Sequence, residues 1–247
     1  LIRKVVKHVL AILPFEEAFF RKEGIACDFV GHPLLDELPE SFDTKQVRKA
    51  LDLKPDEMVL GLLPGSRKKE VQALLPILLE ACQFIHGQYP KLQIVVAQAD
   101  SLGDAIFEPI LDSSPSVKLI KGKPNEVLAV SDLVLVASGT ATLQAALIGT
   151  PMVIVYRTSP LTYQIGKRLV TIPYIGLVNI LAEKELVPEL LQERATAKNI
   201  AQEALSILGD SSRQREMKQN FQDLRNSLGN SGASKRAAEL ILTEIRL

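Results

Sequence analysis

The chain has 247 residues, enough for one or two domains, and 47% of them are apolar, ample for a packed core. Twenty-nine basic residues balance twenty-nine acidic ones, which excludes a global field that would draw in nucleic acid or an anionic membrane and leaves electrostatic recognition to local clusters. The two cysteines, Cys27 and Cys82, lie far apart without metal-ligand spacing, so neither a disulfide framework nor a cysteine metal site is expected and a reducing cytosol fits.

The chain starts at Leu1 in mid-pattern, without the charged, apolar and small-residue succession of a secretory leader, and we expect the front of a longer protein to precede it. Val9 to Leu13 and Asp28 to Val30 read as short strands around a helix at Glu16 to Lys22. The stretch "GHPLLDELPESFDT" then reads as a linker entering a helix at Thr44 to Leu51. His32 lies in that linker, and a hinge or packing role is favoured there over catalysis; His8 and His86 are scattered elsewhere. From Met58 onward, apolar runs alternate with helical patterns, the signature of a parallel sheet wrapped by helices. Strands are expected at Met58 to Leu63, Leu92 to Ala97, Val117 to Ile120, Leu133 to Val136 and Met152 to Val155. Helices are expected near Glu70 to His86, Gly103 to Leu111, Pro124 to Val130 and Thr140 to Ile148. Pro124 suits a first helical position, whereas Pro76 should kink its helix or mark a delayed start. Continuous apolar strands mean that both sheet faces are covered, and every apolar run is too short to span a membrane. After Ala182 the pattern is all helix: Glu183 to Gln192, Ala195 to Leu208, Ser211 to Ser227 and Ala233 to Ile245. The expected divisions are residues 1–40, a sheet domain at 41–192 and C-terminal helices at 193–247.

In open α/β sheets, ligands gather beyond the carboxyl ends of the strands, where helix N-termini aim N–H groups at anions. The stretch "LLPGSRKKEV" lies at such an end, with Arg67, Lys68 and Lys69 opening a helix. In a purely structural reading Gly65 makes the turn, Ser66 caps the helix and the cations are solvated. Cations sit poorly against the positive end of a helix dipole, however, so an anion lodged between them and the helix is the favoured reading. Arg67, with its planar donor fork, is the best single candidate. A second strand end carries "VASGTATLQAALIGTP", where Ser138, Gly139 and Thr140 offer a close backbone approach and hydroxyls at a helix start. A capped, tightly packed helix start is compatible with the same residues. Gln144, one turn in from Thr140, could reach a sugar hydroxyl beside a bound phosphate. In a third cluster, Tyr156, Arg157, Tyr163, Lys167, Arg168 and Tyr174 suit either contact with lipid headgroups or an ordinary amphipathic helix with a solvated basic face. Asn179, among apolar neighbours, needs partners from ligand or backbone if buried. The motifs of Walker A, dinucleotide, zinc-protease and serine-hydrolase sites are missing from the sequence, so kinase, dehydrogenase and triad chemistry are disfavoured and neither metal nor cofactor is expected.

Taken in order, "LPFEEAFFRKEGIACDFVGHPLLDELP", "LLPGSRKKEV", "LVLVASGTATLQAALIGTPMVIVYR", "LTYQIGKRLV" and "LVNILAEKELVPELLQE" resemble the lipid-A-disaccharide synthases, glycosyltransferases of family 19 type. The resemblance runs from about Ala11 to Gln192, and the helical remainder matches more loosely. It implies an α/β fold of GT-B type, with a Rossmann-like parallel sheet, helices on both faces and a helical C-terminal tail. Residues 1–40 would then be the last strip of the N-terminal acceptor lobe plus linker, and residues 41–192 the nucleotide-sugar donor domain. The implied reaction moves 2,3-diacylglucosamine from UDP-2,3-diacylglucosamine to 2,3-diacylglucosamine 1-phosphate, giving a β-1,6 disaccharide and UDP. It needs no metal and takes place on the cytoplasmic face of the inner membrane, as a peripheral contact.

By the same resemblance, Gly65, Ser66 and Arg67 with the Ser138, Gly139 and Thr140 amides fall to the diphosphate, Arg67 stabilising the leaving group. Ile120, Lys121 and Gly122 fall to the uracil, and Asn179 and Gln192 to the nucleotide or sugar. Tyr163, Lys167 and Arg168 would meet lipid. Gln144 departs from the glutamate that commonly holds the ribose in this fold, and an amide accepts fewer hydrogen bonds than a carboxylate. The family's acceptor half, with its glycine-rich loop and proposed catalytic acid, precedes Leu1, so no general base is assigned and these residues alone are expected not to turn over. Two other readings stand beside this one, a UDP-sugar epimerase of the same fold and a non-catalytic nucleotide-binding module. Acyl-chain specificity, source and oligomeric state do not follow from the sequence, a homodimer being one option.

Overall fold

After a single turn, α1 (Ile2–Val5), two short strands, β1 (His8–Ala11) and β2 (Ala26–Phe29), pair in parallel across the helix α2 (Pro14–Lys22). These come from the computed structural model of the protein, which describes residues 2–112, 116–158 and 174–245. Pro14 opens α2, where its missing N–H costs nothing, and Glu16 reaches back to the Leu13 N–H. A four-residue helix, α3 (Leu34–Glu37), interrupts the expected linker.

The second unit, Ser41–Phe221, is built on a six-stranded parallel sheet. It begins with α4 (Thr44–Ala50), whose N-terminal amides are capped by Asp43. Then β3 (Val59–Leu63), α5 (Lys68–His86), β4 (Gln93–Gln98), α6 (Glu108–Leu111), β5 (Val117–Lys121) and α7 (Pro124–Val130) follow. The sheet is completed by β6 (Leu133–Ala137), α8 (Thr140–Ile148), β7 (Met152–Tyr156), α9 (Leu177–Ala182) and β8 (Glu189–Leu191). Every residue of β3 and β6 is buried, as strands sandwiched by helices must be. The helices fall into two layers: α5 packs on β6, whereas α4, α7, α8 and α9 touch one another in succession.

One expectation changes and one narrows. The stretch from Glu183 to Gln192 is not helical, because Glu189–Leu191 adds a sixth strand, pairing Ile154, Val155 and Tyr156 with Glu189, Leu190 and Leu191. Edge pairing to an already formed strand outweighs the helical spacing of a stretch this short. The helix before His86 starts at Lys68 and passes through Pro76 without a delayed start; eight buried side chains, from Val71 to Ile85, hold it despite one missing backbone donor.

The strand order is β5-β4-β3-β6-β7-β8. Progression therefore reverses between β3 and β6, which makes their shared carboxyl end the topological switch point where open α/β sheets take ligands. The chain continues into α10 (Ala197–Leu208), which packs on α5, β6 and β7 and is capped by Thr196. It then enters α11 (Ser211–Ser227) and α12 (Ala233–Ile245). The last of these belongs to the unit of the first forty residues, where Asp36 accepts the Ser234 N–H at 3.0 Å and Arg236 donates to the Val30 carbonyl at 2.8 Å. Among the described residues no helix is long and apolar enough to cross a membrane.

Candidate functional site

Leu63 ends β3 and Ala137 ends β6, neighbouring strands whose chains both turn there into a helix N-terminus. Between the two turns opens a cavity of about 300 Å³. The β3 turn contributes Gly65, Ser66, Arg67 and Glu70, and the β6 turn Ser138, Gly139, Thr140 and Gln144; Ala97, Ala99 and Pro124 close the remaining side. The seven residues expected on the diphosphate and ribose thus line one space.

The β6 turn is shaped for backbone approach. Gly139 has φ +154°, outside the range side-chain-bearing residues adopt readily, and a Cβ there would meet nothing within 4 Å, so the residue is required by conformation and not by crowding. Thr142 donates to the Gly139 carbonyl at 2.8 Å and fixes the first turn of α8. Ser138 donates to the Ile175 carbonyl at 2.9 Å, which ties the turn to the segment ahead of α9. The Gln144 amide reaches Asn125 at 3.4 Å.

The β3 turn differs from the expected cap. Arg67, not Ser66, is the N-cap residue of α5, and no side chain caps from that position. Glu70 does the work from one turn further in, accepting the Ser66 N–H at 3.2 Å and the Arg67 guanidinium at 2.6 Å. The Arg67 side chain remains 80% exposed, and so open an ion pair contributes only about 0–1 kcal/mol. Arg48 stands in contrast beneath the same sheet. Its side chain is 16% exposed, and the guanidinium donates to the carbonyls of Lys54, Pro55, Glu57 and Val130. One arginine is used up by the fold and the other is held at the rim.

Other expected residues lie outside this cavity. Ile120, Lys121 and Gly122 end the outer strand β5, where Lys121 pairs with Asp104 and the Gly122 N–H donates to the Gln98 carbonyl at 3.1 Å. The Lys121 ammonium, with a hydrogen bond from Gln98, holds the Asp104 carboxyl below the ordinary carboxylate range. Asn179 is fully buried. Its nitrogen donates to the Val187 carbonyl and to Glu189, both at 2.8 Å, and its oxygen accepts the Leu186 and Val187 N–H groups. All four hydrogen-bonding positions of the amide are thereby taken, so backbone and Glu189, rather than a ligand, satisfy Asn179. The Gln192 amide meets the N–H and C=O of Thr158 at 3.2 and 3.1 Å, tying the end of β8 to the end of β7. Tyr156, Arg157 and Tyr174 are half-buried, whereas Tyr163, Lys167 and Arg168 lie outside the described residues.

Two acidic residues went unremarked by sequence reasoning. Glu70 is the last charge of the basic motif itself, three residues after Arg67, the spacing at which a carboxylate folds back on a helix start. Glu189 is buried and accepts the Ile175 and Gly176 N–H groups at 2.9 and 3.0 Å besides Asn179. Its place in an unrecognised strand hid it.

The family model for lipid-A-disaccharide synthetase matches residues 1–244. A lipid-A-disaccharide synthase of Geobacter metallireducens is 39% identical over 98% of this chain and 63% of its own length. One of Syntrophus aciditrophicus is 39% identical over 98% of this chain and 64% of its own. The chain thus spans less than two thirds of the length of these relatives. Among solved structures, the UDP-GlcNAc 2-epimerase of Neisseria meningitidis, bound to UDP-GlcNAc, superposes with a TM-score of 0.65 at 18% identity, covering 96% of this chain and 62% of its own. At that identity the likeness concerns the fold, an α/β fold of GT-B type.

Proposed function

The chain belongs to the lipid-A-disaccharide synthetase family, and on that premise we propose that the protein is a UDP-sugar-dependent glycosyltransferase whose Ser41–Phe221 unit binds the donor. Residues 1–40 are assigned to the end of the acceptor lobe with its linker. The proposed reaction transfers 2,3-diacylglucosamine from UDP-2,3-diacylglucosamine to the 6-hydroxyl of 2,3-diacylglucosamine 1-phosphate. The bond from the donor's anomeric carbon to the diphosphate breaks, the β-1,6 glycosidic bond forms, and UDP leaves with added negative charge.

The observation that carries this reading is the meeting of two helix N-termini and one exposed guanidinium around a single cavity at the switch point. Departing negative charge is best stabilised by donors already fixed in place, and backbone N–H groups at helix starts cost no reorganisation. Arg67 adds a full charge on the open side. In this assignment the diphosphate lies between the turns Gly65–Arg67 and Ser138–Thr140, with the ribose toward Gln144 and the uracil toward the end of β5. Asn179 serves the site indirectly, through Glu189 and Ile175 to Ser138, and Gln192 is assigned to the nucleotide or sugar. The proton of the attacking hydroxyl passes to a base not assigned among these residues. The substrates carry acyl chains, so we further assign the protein to the membrane surface, with Tyr163, Lys167 and Arg168 as headgroup contacts on the grounds of their aromatic and basic character.

Incubation of the full-length protein with both lipid substrates tests the reading. Formation of disaccharide and UDP, each dependent on the acceptor, is expected. An epimerase would alter the donor sugar without acceptor, and a binding module would leave both lipids intact; either result would sink the assignment.

A further inference from the structure

Glu70 stands between the groups assigned above to the diphosphate. Its two oxygens take one backbone amide and one guanidinium, Ser66 N–H at 3.2 Å and Arg67 Nη1 at 2.6 Å. That donor pair is what two oxygens of a phosphate would meet at the same turn. The loop is shaped around the carboxylate. A Cβ on Gly65 would lie 2.5 Å from Glu70 Oε2 and 2.8 Å from Glu70 Cβ, and Gly65 itself has φ +114°. With 19% of its side chain exposed, against 80% for Arg67, Glu70 is the enclosed partner of the pair, and it lines the same cavity.

Two anions cannot share these donors at contact distance, because like charges so close each disfavour the other. Resting on the donor-site reading given above, we propose that Glu70 is an internal competitor for the diphosphate seat. It holds Ser66 and Arg67 in register until a nucleotide diphosphate displaces it, and it returns to them as the product leaves. Only a ligand able to replace both contacts removes the carboxylate, so Glu70 sets specificity for a doubly contacting, multiply charged group over a nucleoside or a singly bound anion. The charge that makes Glu70 a good placeholder also weakens retention of UDP, which favours turnover when product release is slow.

The test is calorimetric titration of UDP and of uridine into the full-length protein, its Glu70→Gln and Glu70→Ala variants, and the double variant Glu70→Gln/Arg67→Ala. Both single variants are expected to bind UDP about tenfold more tightly, ~1.4 kcal/mol, with uridine affinity unmoved. The gain is expected to shrink in the double variant, measured against Arg67→Ala alone, since only the share that passes through the Ser66 amide remains. UDP binding that stays equal or weakens in both single variants overturns the competitor role and leaves the donor site standing. If neither the parent nor Glu70→Gln binds UDP, the donor-site reading fails and takes this inference with it. The glutamine variant keeps the shape of glutamate and a side-chain oxygen that can accept the Ser66 N–H, and the alanine variant removes both, so a folding defect in one does not mask the direction shown by the other.

Discussion

Arg48 and Arg67 carry the same charge at opposite ends of the sheet, and their surroundings assign them different consequences. Arg48 donates to four carbonyls from a mostly enclosed position, and its loss would remove the part-buried bonds to Glu57, Val130 and Asp132. Arg48→Ala is therefore expected to lower unfolding stability by about 2–3 kcal/mol, read from the denaturant midpoint at unchanged slope. Arg67→Ala is expected to leave that midpoint within about 0.5 kcal/mol of the parent while lowering turnover at least about a hundredfold, since the proposed assignment makes Arg67 a charged donor to the leaving group. A parent-like rate in Arg67→Ala would remove that side chain from the chemistry. The position of Arg67 was legible in the sequence, because a cation at a helix start is electrostatically misplaced unless an anion joins it. The identity of the nearest anion was not. The spacing of Glu70 allows it to fold back over the turn, but that its carboxylate takes the Ser66 amide and Arg67 together depends on the Gly65 backbone conformation and on side-chain direction.

Elements with an unambiguous period could be read almost to their ends. Leu133–Ala137 and Met152–Tyr156 are continuous apolar runs flanked by turn residues, and the helices at Pro124 and Thr140 begin where proline and glycine punctuation places them. The strand Glu189–Leu191 escaped because three residues carry no period, and its pairing with β7 is a long-range property. Asn179 and Glu189 show what that strand is for. Together they join the start of α9 to the edge of the sheet, and through Ile175 they reach Ser138 in the cavity wall. Replacing Asn179 by alanine takes the acceptor from the buried Leu186 and Val187 N–H groups, while Glu189 keeps the Ile175 and Gly176 N–H groups. The expected cost is on the order of 3 kcal/mol or more in chemical denaturation. A variant of parent stability that fails only in UDP binding would instead place Asn179 on the ligand.

At the scale of the molecule the formal net charge is zero, so the pH dependence of stability is governed by local groups. His32 is 5% exposed and its Nδ1 accepts the Leu34 N–H at 3.2 Å, which only the neutral imidazole can do. Burial pushes its pKa below the ordinary 6.5, against the opposing pull of Glu37 and Glu16. The unfolded state therefore binds the proton first. Stability should be flat above pH 6.5 and decline as pH falls below it, by at most about 1.4 kcal/mol per pH unit. His32→Asn, which keeps an acceptor near Leu34, is expected to abolish this decline between pH 6.5 and 5 in thermal melts. Asp36 acts in a lower window, because hydrogen bonds from the Ser234 and Gly232 amides hold its carboxyl below the ordinary 3.8. A slope unchanged in His32→Asn would exclude the imidazole as its source.

A chain without net charge gains nothing from long-range attraction to anionic lipid, so any such binding has to come from a patch that touches the surface. Lys167 and Arg168 beside Tyr163 are the candidates that composition offers, and each basic residue near a headgroup layer is worth about 1 kcal/mol. Reversing both, as Lys167→Glu/Arg168→Glu, is expected to reduce partitioning of the full-length protein onto vesicles containing anionic lipid by about thirtyfold or more. Flotation on neutral vesicles should change far less, because the charge reversal leaves the aromatic residue proposed for headgroup contact, Tyr163, in place. Equal flotation of parent and variant on anionic vesicles would remove Lys167 and Arg168 from the proposed membrane contact. The same variant also separates two sources of catalytic loss: if Arg67 acts at the diphosphate alone, Arg67→Ala keeps full vesicle binding while losing turnover, and the charge-reversed protein keeps its affinity for soluble UDP while losing vesicles.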